Sequence, residues 1–391
     1  MRFDFDQPID RRNTHSSKWD MMEKNYGVSN AVGIPMWVAD MDFLPPKAVN
    51  DALTNAVAHG VQGYFGDERE HKSAIINWMH SRHGWKPESD WITTVHGIVA
   101  GVALCLQAFT KPGDGVILFT PVYHAFARII KANQRRVVEC PMPVVAGRFE
   151  MDLTALAQQL TGTERVIILC SPHNPGGRVW TSDELHSLAQ FAAAHDLLIL
   201  SDEIHCDLIL PGNKHRMMPL AAPDHMDRIV MLTAATKTFN IAGSLTGNVI
   251  IADPDRRAKF TAACVAAGVH ANRLAVLMAT AAYQEGAAWL VALMVYLEGN
   301  RKLLDAGLNA IPGIRLMPMQ ATFLAWIDLN GTGISDAEII ERFHSRAKVV
   351  VMTGPQFGLG GSGFIRLNFG TQRHLLKEAI ARIQSAFADL Q

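Results

Sequence analysis

From residue 46 onward the chain alternates between two hydrophobic rhythms. Apolar positions spaced three and four apart predict helices over Pro46–His59, Glu70–His83, Gly97–Phe109 and Ser182–His195. Short unbroken apolar runs predict strands over Trp91–Val95, Gly115–Thr120, Arg136–Cys140, Arg165–Cys170, Leu197–Ser201, Arg228–Thr233 and Gly247–Ala252. Unbroken runs suit strands covered on both faces, so the expectation is an α/β fold built on a largely parallel sheet between helices. Ligands of such sheets sit at the carboxyl ends of the strands.

Past residue 252 the rhythm changes. One long helical region is expected over Asp255–Asn309, with Trp289, Leu290, Leu293, Met294 and Leu297 on its apolar face. Strand-like runs at Ile314–Met317, Phe323–Leu329, Val349–Met352 and Phe364–Phe369, then a helix over Arg373–Phe387, predict a smaller α+β domain. Residues 1–45 are polar and aperiodic. Trp19, Trp37 and Phe43 are costly to expose, so this stretch reads as an arm or lid rather than a frayed end. The expected division is an arm contributing to the small domain (1–45), a large cofactor-binding domain (46–288) and a small C-terminal domain (289–391).

Composition narrows the function classes. With 49% hydrophobic and 19% charged residues, the 391-residue chain can bury a large core. Its formal net charge of -1 supplies no global basic field, which argues against nucleic acid and anionic membranes as partners. The apolar stretches are too short to span a bilayer, and no signal peptide is visible. Cys105, Cys140, Cys170, Cys206 and Cys264 form no C-x-x-C pair and read as free thiols in a reducing, cytoplasmic setting.

Candidate chemistry gathers just after the predicted strands. Lys237 follows Arg228–Thr233 in a segment of small and hydroxylated residues. A desolvated lysine loses its charge and can form an imine with an aldehyde, of which pyridoxal phosphate is the common biological case. Asp202 ends Leu197–Ser201; it either caps the next segment or keeps a pyridine nitrogen protonated. His205 is either a core histidine or a group stacking on the same ring. Asn174, in the turn-forming string Asn-Pro-Gly-Gly, is placed to donate to a phenolic oxygen. Gly97, Ile98 and Val99 open a helix whose free N–H groups suit a phosphate, with hydroxyls from Thr233 and Thr236 nearby. Tyr123 is either core or an aromatic stack. Arg366, inside an apolar strand, needs a salt bridge or a bound carboxylate.

Taken together, these parts resemble fold-type I pyridoxal phosphate enzymes, the class I/II aminotransferase superfamily, over nearly the full length. The resemblance narrows to the MalY/PatB, cystathionine β-lyase-like branch through Asp10-Arg11-Arg12, Lys18-Trp19-Asp20, Pro35-Met-Trp37-Val-Ala-Asp40-Met-Asp42-Phe43, Gly63-Tyr64, Pro121-Val-Tyr-His124, Ser201-Asp-Glu-Ile-His205, Ala282-Tyr283-Gln-Glu-Gly286, Trp289-Leu290, Tyr296-Leu-Glu-Gly-Asn300 and Gly363-Phe-Ile-Arg-Leu-Asn368. It implies a mainly parallel seven-stranded sheet, a homodimer with shared sites, Tyr64 reaching the partner's phosphate, and Trp37 to Asp40 lining the substrate entrance. Arg366 and Asn174 would bind substrate, and Lys237, Asp202 and Tyr123 would be catalytic. Two positions depart from the family: Ala234, where relatives often place serine, and His96, where a small or apolar residue is usual. The implied activity is a carbon–sulfur β-lyase acting on an amino-acid thioether and releasing thiol, pyruvate and ammonia. An aminotransferase is the alternative, since the same residues serve both.

Overall fold

The computed structural model describes residues 3–390. A seven-stranded sheet runs in the order Ile92–Val95, Gly247–Ile251, Ile229–Thr233, Leu198–Asp202, Glu164–Cys170, Gly115–Thr120, Arg136–Pro141. Each predicted run is a strand, with ends shifted by at most one residue. Six strands point one way; Gly247–Ile251 alone is antiparallel to both its neighbours. The five central strands are buried along nearly their whole length, which is why their sequences are unbroken apolar runs.

Helices cover the sheet. Ser182–Ala194 begins in a capping box, with Thr181 accepting from the Glu184 N–H and Glu184 from the Thr181 N–H. Ile98–Phe109 packs so closely that a Cβ on Gly101 would lie 3.0 Å from Val249 and 3.2 Å from Leu232. The helical region expected as one piece over 255–309 is three helices, Pro254–Ala266, Arg273–Glu285 and Ala287–Leu308. The last two meet at 79°, breaking at Gly286, whose position leaves no room for a Cβ beside Phe239 (2.3 Å). Among the described residues, no single helix is long and apolar enough to cross a membrane.

The C-terminal part holds a four-stranded antiparallel sheet, ordered Arg315–Leu316, Leu324–Asp328, Phe364–Asn368, Met352–Thr353. The run expected over 349–352 therefore splits: Val349–Val350 turns away to pair with Ile34–Pro35 of the N-terminal stretch. That stretch is firmly packed. Lys18 is fully buried and pairs with Asp42 at 2.7 Å; Arg11 bridges Asp42 (2.7 Å) and Asp40 (2.8 Å). Gln372 and Asn368 of the small sheet's side donate to carbonyls of Asp42, Val38 and Asp40.

Candidate active site

Strand direction decides where the chemistry collects. Cys170, Asp202 and Leu232 are paired across three parallel strands, so their carboxyl ends lie level. The residues just beyond those ends, with Gly97 and Tyr123 beyond two further strands, surround one cleft of about 790 Å³, open solvent at its mouth included. Its walls carry Gly97, Ile98, Val99, Tyr123, Asn174, Asp202, His205, Thr236 and Lys237, nine of the residues singled out from the sequence.

At one end lies a helix terminus. Gly97 takes φ +89°, a left-handed conformation that suits glycine, and no side chain caps the helix that follows. The N–H groups of Ile98, Val99 and Ala100 therefore have no acceptor inside the helix and form a seat for an anion. His96 flanks this seat, its Nε2 donating to the His270 carbonyl at 2.6 Å.

In the middle are the lysine and the aspartate. Burial pulls the Lys237 amine down to about 8, against the attraction of Asp40 and Asp202 and with the help of Arg366. Its Nζ donates to the Ala39 carbonyl. Burial pushes the Asp202 carboxyl up to about 7, opposed by an N–H from Ile204 at 3.1 Å and aided by the neighbouring Glu203 charge. A carboxylate lifted this far accepts a proton-bearing cationic partner readily. It also caps the turn at Ile204, which is the capping reading of Asp202. His205 is buried, with Nδ1 unpaired; burial, then Lys237 and Arg366, push it down to about 3, so the ring is neutral. Tyr123 is raised by burial, an effect that Arg366 opposes, and stays protonated.

Arg366 answers the question its sequence position raised. Its guanidinium is buried, and no carboxylate of the described residues pairs with it. It donates to Asn174 Oδ1 at 3.1 Å, to the Trp37 carbonyl at 2.8 Å and to Met352 Sδ at 3.0 Å; Nε has no partner. Burial lowers it to about 10, which a structural salt bridge would have offset.

Five expected residues do not line this cleft: Arg366, which reaches it through Asn174, and four more. Thr233 is buried at the end of its strand, its hydroxyl 4.0 Å from Cys206 Sγ, and does not line the cleft. Tyr64 is fully exposed and touches no part of this cleft within one chain. The Trp37 ring packs on Tyr26 at 5.1 Å and donates to the Lys18 carbonyl; only its backbone meets Arg366. Asp40 lines a second groove, on the arm side of Lys237, and is tied to Arg11.

The amine, carboxylate, anion seat and unpaired guanidinium match the needs of an aldehyde-bearing pyridine phosphate and an amino-acid substrate. The model of aminotransferase class I and II matches residues 34–383. The chain belongs to this family. It is 38% identical to cystathionine β-lyase PatB of Bacillus subtilis over 98% of this chain and 100% of PatB. Protein MalY of Escherichia coli is 33% identical, covering 98% of both chains. Among solved structures, cystalysin of Treponema denticola, which contains a pyridoxal 5'-phosphate cofactor, superposes with a TM-score of 0.95 at 34% identity over 100% of both chains. The pyridoxal phosphate-bound C–S lyase of Staphylococcus hominis gives 0.90 at 30% identity, covering 99% of this chain and 98% of that one.

Several supports carried no sequence signal. Buried Asp207 accepts from Trp78 (3.0 Å), His83 (2.8 Å) and Thr238 (2.8 Å), and so anchors the turn that carries Lys237. Asn240 grips the arm, accepting from Met41 N and donating to the carbonyls of Met41 and Phe43. Cys170 and Thr246 also line the cleft.

Proposed function

We propose that the protein is a pyridoxal phosphate-dependent carbon–sulfur β-lyase that releases a thiol, pyruvate and ammonia from an amino-acid thioether such as cystathionine. The observation that carries this reading is one cleft lined by Lys237, Asp202 and Asn174, with the buried Arg366 guanidinium donating to Asn174 Oδ1. The relatives named cystathionine β-lyase and C–S lyase support the reaction type.

Pyridoxal phosphate, held through Lys237, supplies an electron sink for the substrate's α-carbon. The free N–H groups at Ile98 to Ala100 would seat its phosphate, with Thr236 beside them. Asp202 would hold the ring nitrogen protonated. Asn174 has its oxygen committed to Arg366, a group that only donates, so its amide nitrogen is the atom left to donate toward the ring oxygen. Arg366 would hold the substrate carboxylate, relieving the cost of its unpaired burial. Lys237, lowered to about 8 by burial, gives up its charge more readily than an exposed lysine and would take the α-proton in its neutral form. Tyr123, protonated and in the same cleft, is a proton source for the leaving thiolate.

Tyr64 stands in solvent in the single chain, which fits a homodimer in which it serves the partner's site. The five free, buried cysteines fit a reducing cytoplasm. We also divide the chain functionally into an arm (1–45), a cofactor-binding part (46–288) and a small C-terminal part (289–391).

The test is pyruvate and thiol release from cystathionine with no keto acid added. Stoichiometric release supports the lyase. Turnover only when a keto-acid acceptor is present would assign an aminotransferase instead, the alternative that the family name keeps open.

A further inference from the structure

Four consecutive backbone carbonyls of the arm, Trp37 to Asp40, all accept from side chains of the site and its surroundings. Trp37 O takes Arg366 Nη2 at 2.8 Å, and Ala39 O takes Lys237 Nζ. The other two, Val38 O and Asp40 O, both take the side-chain amide of Asn368, each at 2.6 Å. Asp40 O also takes Lys18 Nζ at 3.1 Å. Asn368 is buried on the same strand as Arg366, two residues on, so both side chains leave one face of that strand. It is fixed at both ends: its Oδ1 accepts from Gly370 N at 2.7 Å, and its own N–H donates to Met36 O at 2.9 Å.

We propose that Asn368 is a positioning residue: by clamping the Val38 and Asp40 carbonyls it aims the carbonyl between them, that of Ala39, at the Lys237 amine. It does the same for Trp37 O and Arg366. This rests on the reading of Lys237 as the cofactor-bearing base. A carbonyl is an acceptor only, and it interacts more strongly with an ammonium than with an amine. Ala39 O therefore favours the protonated lysine, the form Lys237 takes after removing a substrate proton. The charged groups facing that amine from the other elements are Asp40, Asp202 and Arg366, with His205 and Tyr123 on the same cleft. Asn368 touches none of these charges directly, so its replacement reaches the amine only through the segment it holds, which carries both Ala39 O and the Asp40 charge that favours the ammonium.

The experiment follows uptake of pyridoxal phosphate by protein freed of cofactor, by absorbance, as a function of pH. Capture of an aldehyde needs the neutral amine, so the uptake rate rises with pH through the lysine's own titration. With Asn368→Ala the midpoint should move to lower pH by about half to one unit, because the ammonium has lost an acceptor. Asn368→Ser, whose single hydroxyl reaches at most one carbonyl, should lie between. If wild-type protein and both soluble variants share one midpoint, the positioning role is overturned. If Asn368→Ala fails to fold, Asn368→Ser alone decides by the same criterion. Failure of the wild-type protein to take up the cofactor at any pH would instead overturn the reading of Lys237.

Discussion

The Arg366 guanidinium donates to the side-chain oxygen of Asn174 at 3.1 Å, and no carboxylate of the described residues shares it. A buried cation held only by neutral acceptors is incompletely compensated, and an incoming carboxylate completes it. Arg366→Ala should therefore cost roughly 2–4 kcal/mol of substrate and transition-state binding, a loss in kcat/KM of about 30- to 1,000-fold, seen mainly in KM. Steady-state kinetics with cystathionine measures this; an unchanged KM removes Arg366 from the substrate's contacts.

The same pair gives a sharper substitution. Asn174→Asp keeps the shape but hands Arg366 a fixed carboxylate inside the protein. Substrate must then compete with it, and the amide donor to the ring oxygen is gone. The expected result is a higher KM than in Asn174→Ala, together with a more stable fold, because the buried guanidinium is now paired. Thermal melting and kinetics on the two variants check both halves.

Lys237 and Asp202 are held at a cost to the fold. Lys237 is lowered from 10.5 to about 8, chiefly by burial. As pH falls from 10.5 the unfolded chain takes up the proton first, so this burial penalises the fold increasingly down to about 8 and stays constant below. The full gap corresponds to roughly 3 kcal/mol, and partial opening of Lys237 to the cleft reduces it to about 1–2 kcal/mol. Lys237→Met should thus raise the melting temperature of cofactor-free protein at pH 7, and the gain should vanish above pH 10. Asp202 mirrors this: raised to about 7, it penalises the fold progressively as pH climbs from 3.8 to 7. Asp202→Asn should stabilise the cofactor-free chain at pH 8 and leave it unchanged near pH 4, while greatly reducing turnover.

The strands and their carboxyl-end chemistry were legible because one physical signal produced both. An unbroken apolar run marks a buried strand, and a lysine, aspartate or asparagine directly after it has few places to go but the sheet's ligand edge. The direction of Gly247–Ile251 was not legible, because a buried run reads alike in either orientation. Thr233 was placed in the site by its closeness to Lys237 in sequence, yet it is the last residue of its strand and its side chain is buried against Cys206. Asn368 and Asn240 act on the arm across hundreds of residues, and no local pattern reports such a pairing. Gly286 was legible as a glycine, but only packing against Phe239 makes it the corner between two helices.

Asp207 is a case where burial and bonding oppose each other. Burial would raise its carboxyl, but His83, Arg82 and Thr238 more than offset this and hold it below the ordinary value. Its stabilisation is present above the unfolded pKa near 3.8 and is lost as pH falls through the lower folded value. Asp207→Ala strands the donors of Trp78, His83 and Thr238 in the core and should cost about 3–5 kcal/mol. The Thr238 hydroxyl belongs to the turn carrying Lys237, so Thr238→Val should be milder, about 1 kcal/mol, yet should still slow turnover by loosening that turn. Urea unfolding and kcat on the two variants separate the effects; equal stability loss in both would mean that Asp207 acts only through Thr238.

Tyr64 tests the shared site directly. Its side chain is fully exposed in the single chain, while the anion seat at Ile98 to Ala100 offers backbone donors to a phosphate. If Tyr64 serves the partner's phosphate, Tyr64→Ala and Lys237→Ala damage different parts of each composite site. Each homodimer should then be impaired, the first in cofactor retention and the second in turnover. Co-expressed, the two variants form mixed dimers. One site carries both lesions, and the other has an intact Lys237 together with an intact Tyr64 from the partner. The mixture should recover about half of wild-type activity per mixed dimer, with one tightly held cofactor. Activity no greater than the sum of the two separate variants would show that Tyr64 does not cross between chains.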